Sequence, residues 1–239
     1  MGFLFPFKSM PGSFKKWQMK DYLRQLSIVI AGIVITFVAS DAISAHTKQK
    51  EVNQITGMVR DELSDNLESL HFLQKRLKLE HQLFSLIRKH IQDFNKLSPD
   101  TLAKYTSLPG NDYTYIFKTQ SFDVLKNSNI IPHIKNKLFL RSLFSCYNSL
   151  ELAQTWINTY YQSKTQTTEK WLSTLELPDN QKLYASDETF IDLDFYWKAI
   201  LQNNHTRNFY LNAPSYIETV LNTCRKTEEL LRQTLQNFP

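Results

Sequence analysis

"VNQITGMVRDELSDNLESLHFLQKRLKLEHQLFSLIRKHIQDF", Val52 to Phe94, is the stretch that decides the fold class. Its apolar residues fall at Val52, Ile55, Val59, Leu63, Leu67, Leu70, Leu73, Leu77, Phe84, Ile87, Ile91 and Phe94. With one step skipped near Glu80, 42 residues hold 12 steps. A repeat of about 3.5 residues belongs to a helix whose seam packs on another helix, whereas a strand would alternate every second residue. Lys, Glu, Gln and Asp fill the other faces. The spacing predicts one long helix to about Asn95, with Gly57 as its weakest point. Such a seam serves equally well a partner helix in the same chain or one in a second copy.

Upstream lies "LSIVIAGIVITFVASDAISAH", Leu26 to His46, in which Asp41 is the one acidic or basic residue before His46. About 20 helical residues at ~1.5 Å each cross a hydrocarbon layer of ~30 Å, so Leu26 to Ala45 reads as a membrane span. Lys8, Lys15, Lys16, Lys20 and Arg24 precede it against Asp21 alone, and Trp17 and Tyr22 stand where an interfacial aromatic belt belongs. The positive-inside rule then places the N-terminus in the cytoplasm and everything after His46 outside. A cleavable export signal is the rival reading, because Ser40 to Ala45 has small residues of the kind a cleavage site uses. The long stretch ahead of the apolar run, about 24 residues, favours an uncleaved signal anchor. Asp41 lies near the outer end of the span, where its carboxylate reaches water.

Composition excludes several functions. The formal charge of +5 is concentrated before the span, and from Gln25 onward 23 basic residues face 22 acidic ones. No basic stripe of the kind phosphate binding requires is left, so nucleic acid is not an expected partner. Beyond the span only Gly57 and Gly110 are glycines, too few for a phosphate loop, a dinucleotide fingerprint or a nucleophile elbow. Glu68 and His71 have the Glu-x-x-His spacing of carboxylate-bridged metal bundles, but such a site needs a second copy, and no other histidine has an acid three places earlier. No cofactor is expected.

The remaining elements also read as helices. Ser98, with Pro99 and Asp100, signals a short helix toward Thr106, and "LPGND" at Leu108 to Asp112 breaks the chain. Ser121 is placed to cap a two-turn helix ending near Asn127. A second long helix follows through Leu140, Leu143, Tyr147, Leu150, Ile157 and Tyr160 toward Leu175. Another opens at Ser186, and a last one carries Ile217, Leu221, Cys224, Leu231 and Leu235, with Pro214 as a kink or first turn. Cys146 and Cys224 each fall on an apolar face, where they are either a disulfide or two buried thiols. Tyr105, Tyr113, Tyr115, Phe117 and Phe122 cluster around Pro109, as a groove for a peptide or glycan or as a plug for the end of a bundle.

The order of elements resembles an uncharacterised family of bacterial single-pass membrane proteins of Bacteroidota type, over about Leu23 to Asn237. The stretches that carry it are "VIAGIVIT", "SFDVLKNSNIIPHIKNKLFLRSLFSCYNS" and "RNFYLNAPSYIETVLNTCRKTEELLRQTL". Ser128-Asn129 stands here where that family's pattern has a glycine-containing turn. The resemblance implies an extracytoplasmic helical domain of unknown role and assigns no chemistry to any residue.

These readings together give an all-α protein in which an N-terminal transmembrane helix continues into an elongated antiparallel helical bundle or coiled coil. Residues 1–24 form a short basic cytoplasmic segment, 25–46 the signal-anchor helix, and 47–239 an extracytoplasmic domain of the bacterial inner membrane. The expected role is interaction, scaffolding or sensing, with the bilayer and a protein partner or second copy as contacts. The alternative is an envelope enzyme or metal-binding bundle at Glu68 and His71.

Overall fold

The computed structural model describes residues 12–93, 97–98, 101, 114–174 and 199–238. The regular elements among them are helical: α1 (Gly12–Lys89), α2 (Gln120–Asn127), α3 (Lys137–Leu172) and α4 (Asn204–Gln236), with a 3-10 turn at Ile131–His133. The all-α expectation is met. The chain divides into two compact units, Met1–Gln54 and Ile55–Pro239.

In the first unit α1 is exposed at every residue from 20 to 51. The hydroxyls of Ser27 and Thr36 donate back to the carbonyls of Leu23 and Gly32 at 2.7 and 2.8 Å. That satisfies both hydroxyls inside the helix.

The second unit is built on three heptad seams. Along α1 the buried positions run Val59, Leu63, Asn66, Leu70, Leu73, Leu77, Glu80, Phe84 and Ile87, alternating steps of four and three. Phe139, Leu143, Cys146, Leu150, Ala153, Ile157, Tyr160 and Lys164 continue the pattern on α3. On α4 it is Thr206, Tyr210, Ala213, Ile217, Val220, Cys224, Thr227, Leu231 and Thr234. The seam of α1 is therefore covered by helices of its own chain. Its skipped step is filled by Glu80, which is fully buried.

Side-chain pairs fix the directions. Glu62 meets Tyr147 and Glu80 meets Tyr160, so α1 and α3 run parallel. Ser142 meets Thr234 and Ser149 meets Thr227, so α4 runs against α3. His71 with Glu228 and Phe84 with Tyr210 set α4 against α1 as well. The antiparallel arrangement thus holds for α4 against both neighbours, while the α1–α3 pair is parallel, because the intervening chain returns along the bundle before α3 begins. Part of that return is visible as an extended strap at residues 114–119.

Several local expectations are corrected. Helix α1 ends at Lys89 rather than Asn95 and runs unbroken through Gly57. Ser121 does not cap α2; Thr119 holds the N-cap position without a side-chain bond to the helix amides, and Ser121 lies inside the first turn. Of the two readings of Pro214, kink or first turn, the second is excluded: it sits inside α4, since Asn203 caps the helix by accepting the amides of His205 and Thr206. Ser98 does accept the Thr101 amide at 3.2 Å, the bond an N-cap makes. The short helix toward Thr106, the break at residues 108–112 and the opening at Ser186 lie outside the described residues.

Candidate functional site

The groups that sequence reading singled out are dispersed. Glu68 is exposed. His71 faces α4, its Nε2 at 2.8 Å from Glu228 Oε1 and 3.0 Å from Arg232 Nη2. Gln74 donates to Glu228 Oε2 at 2.9 Å, and Arg232 Nε to Oε1 at 3.0 Å. Partial burial pushes the Glu228 carboxyl up, but the bonds from His71, Gln74 and Arg232 outweigh it and hold it at about 2. His71 is thus engaged in a surface network between α1 and α4. No group of three or more metal-ligating side chains occurs among the described residues.

Cys146 and Cys224 are both buried thiols, and burial pushes each up to about 12. Helix register explains why they do not bond. With Ser142 against Thr234 and Ser149 against Thr227, the position facing Cys146 is Leu230, six residues past Cys224. At ~1.5 Å per residue that offset is about 9 Å, beyond the ~7 Å limit between α-carbons of a disulfide.

Of the five aromatic residues around Pro109, Tyr105 and Tyr113 lie outside the described residues. Phe117 and Phe122 are buried core residues, and Tyr115 is half-buried with its ring edge-on to Phe117 at 5.0 Å. Phe122 stacks flat on Tyr147, centroids 3.8 Å apart. Beside them is a cleft of 330 Å³ between strap, α2 and α3.

Two polar centres lie between α1 and α3. At the first, Glu62 accepts the Ser121 and Phe122 amides at 2.7 and 3.3 Å and the Tyr147 hydroxyl at 2.5 Å. A carboxylate from α1 thereby performs the capping that α2's own residues omit. The strap is held by side-chain amides: Asn66 exchanges two hydrogen bonds with the Lys118 backbone, Asn158 two with Tyr115, and Gln154 accepts the Phe117 amide. Each amide replaces the neighbouring strand that an extended segment otherwise needs.

The second centre is fully enclosed. Glu80 accepts the Tyr160 hydroxyl at 2.6 Å, the Tyr161 hydroxyl at 3.4 Å and Lys164 Nζ at 3.2 Å, with Arg76 Nε 3.6 Å away. Glu80 and Lys164 are 0% and 1% exposed. Burial, then the charge of Glu80, pushes the Tyr160 hydroxyl well above the ordinary phenol range. The sequence did carry a signal for Glu80, the skipped step in the seam. For Lys164 the signal was its place four residues after Tyr160 on the heptad.

Taken together, the second unit defines a helical bundle with charged pairs inside its core, in a chain whose first unit carries a helix long and apolar enough to cross a membrane. No family model, curated protein or solved structure matches the chain.

Proposed function

We propose that this protein is a single-pass, signal-anchored helical module that binds or senses without catalysing. Its N-terminus faces the cytoplasm of a bacterial cell, and its bundle lies outside the inner membrane. The observation that carries this reading is the exposed apolar stretch of α1. Its best 18-residue window has a mean hydropathy of 2.3, and none of it is buried by the protein. Ten large apolar side chains between Leu26 and Ile43 are 42% to 69% exposed. At roughly 1 kcal/mol each for half-burial, leaving them in water costs on the order of 10 kcal/mol, comparable to the stability of a whole domain. A bilayer removes that cost. The bundle meets its own needs within the chain, which leaves its outer surface for a partner or a second copy.

The test is membrane extraction combined with topology. Intact protein is expected to stay with vesicles washed in alkaline carbonate, and a reporter fused after Pro239 is expected on the outer side. Release by carbonate, or a cytoplasmic reporter, overturns the reading.

A further inference from the structure

The cleft between strap, α2 and α3 has a chemistry of its own. Its 330 Å³ falls at the small end of ligand clefts and has room for a side-chain-sized group. One wall is aromatic, formed by Phe122 and Tyr147, and Ile116, 72% exposed, forms an apolar lip. Two carboxylates line it, Asp123 and Glu151. The Lys126 ammonium, from the last turn of α2, lies 5.0 Å from the centroid of the Phe122 ring and 2.7 Å from Asp123 Oδ1. That is the geometry in which a ring face and a carboxylate hold a cation together. The Glu151 carboxylate has no hydrogen-bond or ion-pair partner among the described residues.

We infer that this cleft receives an alkylammonium group, which binds between the Phe122 ring, Asp123 and Glu151 and displaces Lys126, the chain's own plug. Lys126 pairs with Asp123 alone and leaves Glu151 unmatched, whereas an ammonium seated between the two carboxylates faces both. Lys126 is 43% exposed and gives up only a surface pair when it swings out. The source of the ammonium is either a free amine or a lysine of a partner polypeptide. The inference stands on the cleft alone, independent of the membrane reading.

The experiment uses the full chain in detergent micelles with carbon-13 methyl labelling of isoleucine, following Ile116. Titration with n-butylammonium chloride is expected to shift Ile116 saturably, beyond the effect of sodium chloride at equal concentration. Glu151→Gln is expected to weaken binding at least several-fold. Lys126→Met, which removes the competitor, is expected to tighten it several-fold. Glu151 and Lys126 are both exposed, and an unchanged far-ultraviolet dichroism spectrum establishes that each variant is folded. A capped Gly-Lys-Gly peptide that binds more tightly than butylammonium assigns the ammonium to a polypeptide, and equal affinity assigns it to a free amine. Shifts that only track ionic strength, or equal affinity in the wild type and Glu151→Gln, overturn the inference. Weaker binding in Lys126→Met removes the role of the plug.

Discussion

The two seams that α3 makes are built from different chemistry. Toward α1, its parallel neighbour, α3 presents Tyr147, Tyr160, Tyr161 and Lys164 to two buried carboxylates. Toward α4, its antiparallel neighbour, it presents Ser142 and Ser149 to Thr234 and Thr227, two hydroxyl rungs at 2.8 and 2.7 Å. The hydroxyl rungs repeat every seven residues, so a slip of one heptad changes little along that seam. The charged seam does not repeat. Glu80 meets Lys164 at one register only, and a slip of α3 past α1 would bury a carboxylate and an ammonium apart from each other. The comparison teaches where the bundle's specificity resides: the α1–α3 seam selects one alignment, and the α3–α4 seam follows it.

The strongest way to break this contrast is to remove one charge. Lys164→Met leaves Glu80 enclosed with only the Arg76 guanidinium, 3.6 Å away, to face it, and the cost should approach that of a broken buried pair, about 3–5 kcal/mol. The expected result is a large loss in chemical denaturation of the full chain in detergent. Glu80→Leu combined with Lys164→Met should recover part of it, because exchanging a buried pair for apolar groups is close to neutral but the buried Tyr160 hydroxyl loses its acceptor, at about 1–3 kcal/mol. The double variant should then show the looser register, as weaker amide protection along α3. A single variant costing less than about 1 kcal/mol would contradict the assignment of Glu80 and Lys164 as a coupled pair.

A smaller effect is expected at the first carboxylate. Glu62→Ala strips the cap from α2 and leaves the buried Tyr147 hydroxyl without its acceptor. A lost cap costs about 1 kcal/mol and an orphaned buried donor about 1–3 kcal/mol, so a total near 2–4 kcal/mol is expected. Hydrogen exchange separates this from the previous case. The Ser121 and Phe122 amides should lose protection first, whereas Lys164→Met acts at the opposite end of the seam. Uniform loss of protection along α1 and α3 would place Glu62 in the same cooperative unit as Glu80.

Much of α1 is legible in the sequence. The apolar period gave Val59, Leu63, Leu70, Leu73, Leu77, Phe84 and Ile87 as core positions, and the gap in that period marks the buried Glu80. The gap reads as an interruption because a lone carboxylate on an apolar seam identifies no partner; Lys164 is 84 residues away. The parallel pairing was illegible for a similar reason. It depends on the strap, and the strap depends on Asn66, Gln154 and Asn158, ordinary polar residues until an extended segment lies against them. The apolar period also puts Ile55 and Leu67 on the seam, where the structure buries Thr56 and Asn66 instead. A backbone that must be hydrogen-bonded outranks one more leucine in the core. The cleft was the least legible feature, since Asp123 and Lys126 are i, i+3 neighbours on α2 but Glu151 joins them only through the return of the chain.

The smallest expected effect tests the other half of the comparison. Ser149→Ala removes one rung, yet the Thr227 hydroxyl keeps the Thr223 carbonyl at 3.0 Å and the Ser149 carbonyl at 3.2 Å. No buried donor is orphaned, so the loss should stay near 0.5–1 kcal/mol, the net worth of one neutral hydrogen bond. Adding Thr227→Val removes the second hydroxyl with little change of volume, and the pair should cost less than the sum of its single changes. The size of the coupling is the decisive reading. A Ser149–Thr227 coupling as large as that of Glu80 with Lys164 would mean that hydroxyl rungs also select the register, and the two seams would no longer differ in kind. A coupling below about 1 kcal/mol leaves the charged pair as the element that sets the alignment of all three helices.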